Sequence, residues 1–291
     1  MRTPWCVNNG GDLRLRKEDA IRIAQRDTRV DELLARDNHA VRSESRLFAD
    51  SKRAPRVRVA IFVGMRLPVL AYGVARNSHA PTARGLFEVG LMRDQPAAAF
   101  LGTMGDPPNV AGALWATRMS NVMALMAQGS IDLGFIGGAE VDRFGNLNTS
   151  YVGDTARPAV KLPGSGGGAD IAILSRHWVT LMSHEKRRLV ERVSYVTSPG
   201  YGDGTRGWRK RNGLLGGGPS AIITTLGVFR FPEGGGEAML ESVHPGHTLE
   251  DVREHTGWEL HVSDGVSETS APTELELAAI RQIDPDGFWT R

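Results

Sequence analysis

Three glycine-flanked blocks hold the residue types that could do chemistry in this 291-residue chain. The first is Leu86-Phe87-Glu88-Val89-Gly90-Leu91-Met92, a lone carboxylate in an apolar setting. A carboxylate so placed must find a partner or have its pKa driven upward. Pairing with Arg84 or Arg93 would be the ordinary outcome; an unpaired Glu88 would be a candidate for chemistry. The second block runs from Phe135 to Asn148 and contains Gly137-Gly138-Ala139. Backbone N–H groups in such a turn can hold an oxyanion. Asp142 and Asn146 could equally close Asx-turns around Gly145. The third block is Gly164-Ser165-Gly166-Gly167-Gly168-Ala169-Asp170, where missing β-carbons let a ligand approach the backbone closely. Taken singly, each block also has a structural explanation.

Other signatures are missing. No glycine-rich segment leads into Gly-Lys-Ser/Thr, and no Gly-x-Ser-x-Gly elbow raises a serine. His184-Glu185 runs into Lys186-Arg187-Arg188, so a helical two-histidine metal pattern fails. Cys6 is the one cysteine, which excludes an internal disulfide and a cysteine-based zinc cluster. No metal ligands are expected. Gly164, Gly166 and Ala169 fit a Gly-x-Gly-x-x-Ala spacing, but without a good strand before it or a clear helix after it the dinucleotide reading is weak.

The elements that must position these blocks alternate. Apolar runs at Val59–Val63, Leu86–Phe87, Ile131–Ile136, Ile171–Leu174, Val193–Thr197, Ala221–Thr225 and Val228–Phe231 read as strands. Helices are expected over Leu67–Arg76, with Pro68 in the first turn, over Asn121–Gln128, and over Leu249–Thr256. A further basic helix is expected from His184, capped by Ser183. Alternation of this kind predicts an α/β fold with an open, largely parallel sheet and flanking helices. Residues 1–58 differ in texture: they hold 14 Lys/Arg against 9 Asp/Glu, whereas the whole chain is only +2. They read as a basic, partly helical extension (Leu13–Arg36) ahead of a domain spanning 59–291. A whole-chain charge of only +2 argues against a nucleic-acid partner. No stretch reaches the ~18 apolar residues of a membrane span, and no secretory signal opens the chain, so cytoplasm is the expected compartment.

Read together and in order, the blocks resemble the β subunit of family I CoA-transferases, of the type found as the B subunit of glutaconate CoA-transferase. The resemblance runs from about Val59 to Pro285. It adds Val63-Gly64-Met65-Arg66-Leu67-Pro68, Ser78-His79-Ala80-Pro81, Gly153-Asp154, His184 to Arg188, Tyr195 to Gly200, His244-Pro245-Gly246 and Asp251 to Gly257 to the three blocks. It implies that Glu88 is the nucleophile, passing through a glutamyl–acyl anhydride and a glutamyl–CoA thioester. It implies that Gly138 serves the oxyanion hole, and that Gly137, Ala139, Gly164, Ser165, Gly166 and Gly167 line the acyl or CoA pocket. A coenzyme A thioester is then a substrate, a carboxylic acid the acceptor, and no permanently bound cofactor is expected. The family's α-subunit Gly-x-Gly-Gly-Phe block is missing, which implies a separate α subunit in a heterodimer or larger heteromer. Two departures stand out: Arg66 replaces a family glycine, and Val89 replaces the serine after the nucleophile. Within the same fold the alternatives are a CoA-thioester hydrolase, ring-cleaving enzyme or decarboxylase; outside it, a non-catalytic binding or regulatory protein.

Overall fold

The computed structural model describes residues 60–62, 67–78 and 80–287. The expected N-terminal helix, Cys6, the Arg66 departure and His79 lie outside them. In chain order the elements are β1 (Ala60–Phe62), α1 (Leu67–Asn77), β2 (Arg84–Phe87), β3 (Leu91–Arg93), α2 (Pro107–Val110), β4 (Trp115–Ala116), α3 (Met119–Ala127) and β5 (Leu133–Ile136). Then follow β6 (Glu140–Asp142), β7 (Leu147–Asn148), β8 (Tyr151–Val152), β9 (Val160–Lys161), α4 (Gly168–Leu174), β10 (His177–Met182) and β11 (Leu189–Val190). The last are α5 (Trp208–Arg211), β12 (Pro219–Thr224), β13 (Gly227–Arg230), β14 (Met239–Val243), α6 (Leu249–Glu254), β15 (His261–Glu268) and α7 (Glu274–Ile283).

Ten strands form one sheet in the order β15-β14-β13-β12-β10-β5-β1-β2-β3-β4. Its centre, β2-β1-β5-β10-β12, is parallel. Antiparallel pairs extend it through β3 and β4 on one side and β13 and β14 on the other. Side chains alternate across the central strands, as the two-residue period of a strand requires. Leu133, Val179, Ala221 and Ile223 pack beneath α1 and α7, while Ile136, Trp178, Met182 and Ile222 pack toward α3 and α4. Helices thus cover both faces, which is why the central strands read as continuous apolar runs. The chain leaves β1 toward β2 on one side and later returns to β5 on its other side. In open α/β sheets such a reversal opens a crevice at the carboxyl ends of the strands.

Several sequence expectations need correction. Ile171–Leu174 belongs to α4 and is not a strand. Four apolar residues are too few to separate the two periods. Gly134 decides the matter, because α4 lies so close that a β-carbon there would sit 2.2 Å from Ile171 Cγ2. Val193–Thr197 forms no strand; the nearest pairing is a single bridge between Ser198 and Leu147. Ser183 caps no helix, because Glu185 to Arg188 closes one turn and the chain enters β11. A helix does follow the glycine block at 164–168. Strands β10, β14 and β15 and helix α7 went unread, although Thr273 and Glu276 form a capping box at the start of α7.

His184 instead enters the core, where it is 5% exposed. Its Nδ1 lies 2.9 Å from Thr224 Oγ1 and its Nε2 lies 3.0 Å from Thr256 Oγ1. Burial, followed by the charge of His255, pushes its pKa down to about 3 from 6.5. The folded value lies below the unfolded one, so only the unfolded chain takes up this proton between those limits. The resulting stability is complete above the unfolded pKa and falls as the pH drops toward the folded one, by about 1.4 kcal/mol per pH unit for this group. Urea denaturation at pH 7 and pH 5 should show this loss, and His184→Gln should flatten the slope; an unchanged slope in the variant would contradict the assignment.

Candidate active site

Glu88 follows β2 directly, in the three-residue loop Glu88-Val89-Gly90 that turns the chain into β3. Phe87 and Leu91 pair across the base of this hairpin and are both buried, which fixes the loop to the core. Gly90 N–H donates to the Phe87 carbonyl at 2.9 Å, and the Gly90 carbonyl accepts from Thr117 N–H at 2.7 Å. Only glycine serves at position 90: its φ is 107°, and a β-carbon would lie 2.1 Å from the Thr117 carbonyl oxygen. The loop therefore holds Glu88 at the carboxyl end of a parallel strand.

Among the described residues, no hydrogen bond or ion pair reaches the Glu88 carboxylate. Arg93, one of its expected partners, donates instead to the carbonyls of Gln95, Asn109 and Ala111 at 2.9, 2.6 and 2.7 Å. Glu88 is half-buried, and this burial, with the negative charge of Asp170 second, raises its pKa. Its nearest neighbour from the third block is Gly167, where a β-carbon would stand 3.0 Å from Glu88 Oε1 and 3.2 Å from Oε2.

Gly167 is the residue from which α4 springs, and its own φ of −79° is ordinary. The loop before it is tied down by Gly164 N–H to the Thr149 carbonyl and by Gly168 N–H to the Ser165 carbonyl, both at 2.8 Å. Gly167 is buried against Glu88, whereas Ser165 and Gly166 face outward and Gly164 is half-buried. Gly168 approaches the end of β5: its β-carbon position lies 3.5 Å from Ile136 Cγ2. Gly137 and Gly138 follow Ile136 at once. The three blocks thus meet along the carboxyl edge of the parallel strands.

Within the second block the structure separates two kinds of residue. Ala139 donates its N–H to the Asn148 carbonyl at 2.9 Å, so that amide is engaged and is not available to an oxyanion. Neither Gly137 nor Gly138 N–H enters a turn or loop bond among the described residues. Asp142 Oδ1 accepts from Phe144 N–H and Asn146 N–H at 3.0 and 3.1 Å, the Asx-turn geometry allowed for above. Asn146 Oδ1 in turn accepts from Gly200 N–H at 2.9 Å. Glu140 accepts from Asn148 Nδ2 and Ser194 N–H, both at 2.8 Å. These buried polar groups build the loops; Gly137 beside them is exposed and Gly138 half-buried.

Two contributors went unread in the sequence. Asp170, in the first turn of α4, places a second carboxylate near Glu88. Arg209 is buried and donates to the carbonyls of Gly216, Pro199, Gly200 and Ala172 at 2.9, 2.8, 2.9 and 2.6 Å. It joins α4 to the loop behind it, among the described residues no carboxylate pairs with it, and burial lowers its pKa to about 10. In the run Trp208-Arg209-Lys210-Arg211 no sequence signal distinguishes the buried arginine from its exposed neighbours.

Comparison with known proteins agrees with this architecture. The coenzyme A transferase family model matches residues 59–255. The chain is 38% identical over 224 residues to the B subunit of 3-oxoadipate CoA-transferase from Pseudomonas knackmussii, covering 77% of this chain and 85% of that one. It is 36% identical over 232 residues to the B subunit of glutaconate CoA-transferase from Acidaminococcus fermentans, covering 77% of this chain and 86% of that one. The crystal structure of the Acidaminococcus fermentans enzyme superposes with a TM-score of 0.74 at 32% identity, over 80% of this chain and 91% of the other. With a family match across most of its length and B subunits among its relatives, the chain belongs to the coenzyme A transferase family as a B-type subunit of family I.

Proposed function

We propose that this chain supplies the nucleophilic half of a heteromeric CoA-transferase, with Glu88 as the covalent residue. The observation that carries the reading is the Glu88 carboxylate itself: half-buried, unpaired among the described residues and backed by Gly167 at the carboxyl edge of the sheet. A carboxylate with no counter-ion and little water around it is a better nucleophile than a solvated one.

The reaction balances without water. A Glu88 oxygen attacks the thioester carbonyl, the C–S bond breaks, and a glutamyl–acyl anhydride and CoA thiolate result. The thiolate attacks the Glu88 carbonyl carbon, releasing the first acid as its carboxylate and leaving a glutamyl–CoA thioester. The acceptor carboxylate attacks that thioester, expels the thiolate and forms a second anhydride. Thiolate attack on the new acyl group releases the product thioester and restores Glu88. Negative charge gathers on a carbonyl oxygen in each step, where the Gly138 N–H, with Gly137 beside it, would stabilise it. Gly164, Ser165, Gly166 and Gly167 would line the acyl or pantetheine channel.

A separate α subunit would close the other side of the site. Large apolar side chains stand exposed near the hairpin, with Val89, Leu114 and Met119 at 46, 52 and 51% exposure, as a surface awaiting a partner would carry. Among the described residues no helix is long and apolar enough to cross a membrane, and we place the complex in the cytoplasm.

Two experiments test this. In the complex reconstituted with its α subunit, acyl-CoA followed by borohydride or hydroxylamine should modify the peptide containing Glu88. Glu88→Gln should lower transfer by about three orders of magnitude or more without unfolding the protein. An active complex that never labels at Glu88 would refute covalent transfer there. Gly167→Ala should displace the carboxylate and lower kcat about tenfold to a hundredfold at unchanged melting temperature, since a small misplacement of a reacting group carries that penalty. Unchanged kcat would mean that the contact is not used.

A further inference from the structure

We propose that Arg209 and Ser198 are positioning residues for Glu88: together they hold helix α4 at the depth that sets Gly167, the residue before it, against the reacting carboxylate. The inference rests on the transfer reading above and adds what fixes the nucleophile from behind.

The first observation concerns the far end of α4. A helix leaves its last carbonyls without partners inside the helix. Arg176 and His177 would reach the Ala172 and Ile173 carbonyls if the helix continued. Their N–H groups donate instead to the carbonyls of Ile131 and Asp132, both at 3.0 Å, as the chain enters β10. Arg209 Nη2 takes over the Ala172 carbonyl at 2.6 Å, and Gly216 N–H takes the Ile173 carbonyl at 2.7 Å. Arg209 Nε also donates to the Gly216 carbonyl at 2.9 Å, so the two ties act as one. A cation at this end complements the helix dipole as well.

The second observation concerns the near end. Arg209 Nη1 donates to the carbonyls of Pro199 and Gly200 at 2.8 and 2.9 Å, which fixes the turn that Ser198 opens. Ser198 is also pinned to Leu147 of β7: its N–H donates to the Leu147 carbonyl at 3.0 Å, and its carbonyl accepts from Leu147 N–H at 2.9 Å. Its side chain is fully buried, and a β-carbon at Gly168 would stand 3.2 Å from Ser198 Oγ. Among the described residues that hydroxyl has no hydrogen-bond partner, so what it supplies beneath α4 is volume. The seven residues of α4 span only about 10 Å and move as a rod. A shift at either support is therefore carried to Gly167, and from there to Glu88.

Ser198→Ala separates position from stability, because removing a buried hydroxyl without a partner breaks no hydrogen bond. The complex assembled with its α subunit is mixed with acetyl-, glutaryl- and hexanoyl-CoA, and the ester that labels wild-type Glu88 fastest is used throughout. Formation of the Glu88–CoA thioester is timed by mass spectrometry. Ser198→Ala should lower the rate constant at saturating ester about threefold to tenfold, with half-saturation within about twofold and the melting temperature unchanged or higher. Arg209→Lys keeps the charge but loses the fork; it should lower the same constant about tenfold, measured at a temperature where circular dichroism shows it folded. Either substitution lets α4 recede from an added methyl group, so combined with Gly167→Ala each should give a faster protein than the product of the single effects. Should Arg209→Lys fail to assemble, Ser198→Ala decides the matter alone. A rate that Ser198→Ala leaves unchanged, or effects that simply multiply with that of Gly167→Ala, would overturn the positioning role while leaving covalent transfer standing. Failure of all three esters to label wild-type Glu88 would overturn both readings.

Discussion

The contact between the Glu88 carboxylate and Gly167 is the point on which the architecture converges. It joins a hairpin at the end of β2 to the start of α4 so closely that a β-carbon at 167 would stand 3.0 Å from Glu88 Oε1. Each partner is fixed by its own constraint. The hairpin needs a left-handed glycine at 90 packed under Thr117, and α4 needs Gly134 so that Ile171 can rest on β5. Three glycines distant in sequence therefore set the position of one carboxylate. Backbone approach is the means, because a missing β-carbon is the one change that lets two segments close to contact without rearranging either.

That Glu88 has no hydrogen bond or ion pair among the described residues is as notable as its position. Several other buried charged groups have close partners. Arg93 and Arg209 are wrapped in carbonyl oxygens, while Asp142 and Glu140 collect N–H donors from the loops they close. A buried charge without such partners destabilises a protein, so isolation at one site stands out against saturation at the others. Two carbonyl-bound arginines also explain how loops rich in glycine hold still. Arg209 joins α4 to the 199–200 turn, and Arg93 secures the segment from Gln95 to Ala111. Hydrogen bonds to a charged donor are roughly twice as strong as neutral ones, which suits them to segments with few side chains to pack.

The switch in strand order around β1 supplies the remaining constraint. It puts the ends of β2 and β5 on either side of β1, about two strand spacings or ~10 Å apart. One edge of that gap carries Glu88 and the other carries Gly137 and Gly138. In the proposed reaction a thioester would lie across this gap, between elements that the core holds in place.

The sequence by itself determined the α/β class and the family and singled out the candidate blocks, because glycine runs and apolar strand segments are local features. Leu67–Asn77 and the strands at Leu133 and Pro219 were legible for the same reason: their apolar residues repeat with a clear period or fill a short buried run. Tertiary structure decided what local pattern leaves open. Ile171–Leu174 became helix because Gly134 admits it, Val193–Thr197 stayed irregular with a single bridge just beyond it at Ser198, and His184 left its basic run to enter the core between two threonines. Tertiary structure also decided that Arg93 would turn to carbonyls, that Ala139 would commit its amide to Asn148, and that Asp170 would stand near Glu88. Charge pairing and desolvation depend on distances between residues remote in sequence. Residue types and spacings named the groups that could react, and the packing of helix on sheet chose which of them remained unpaired.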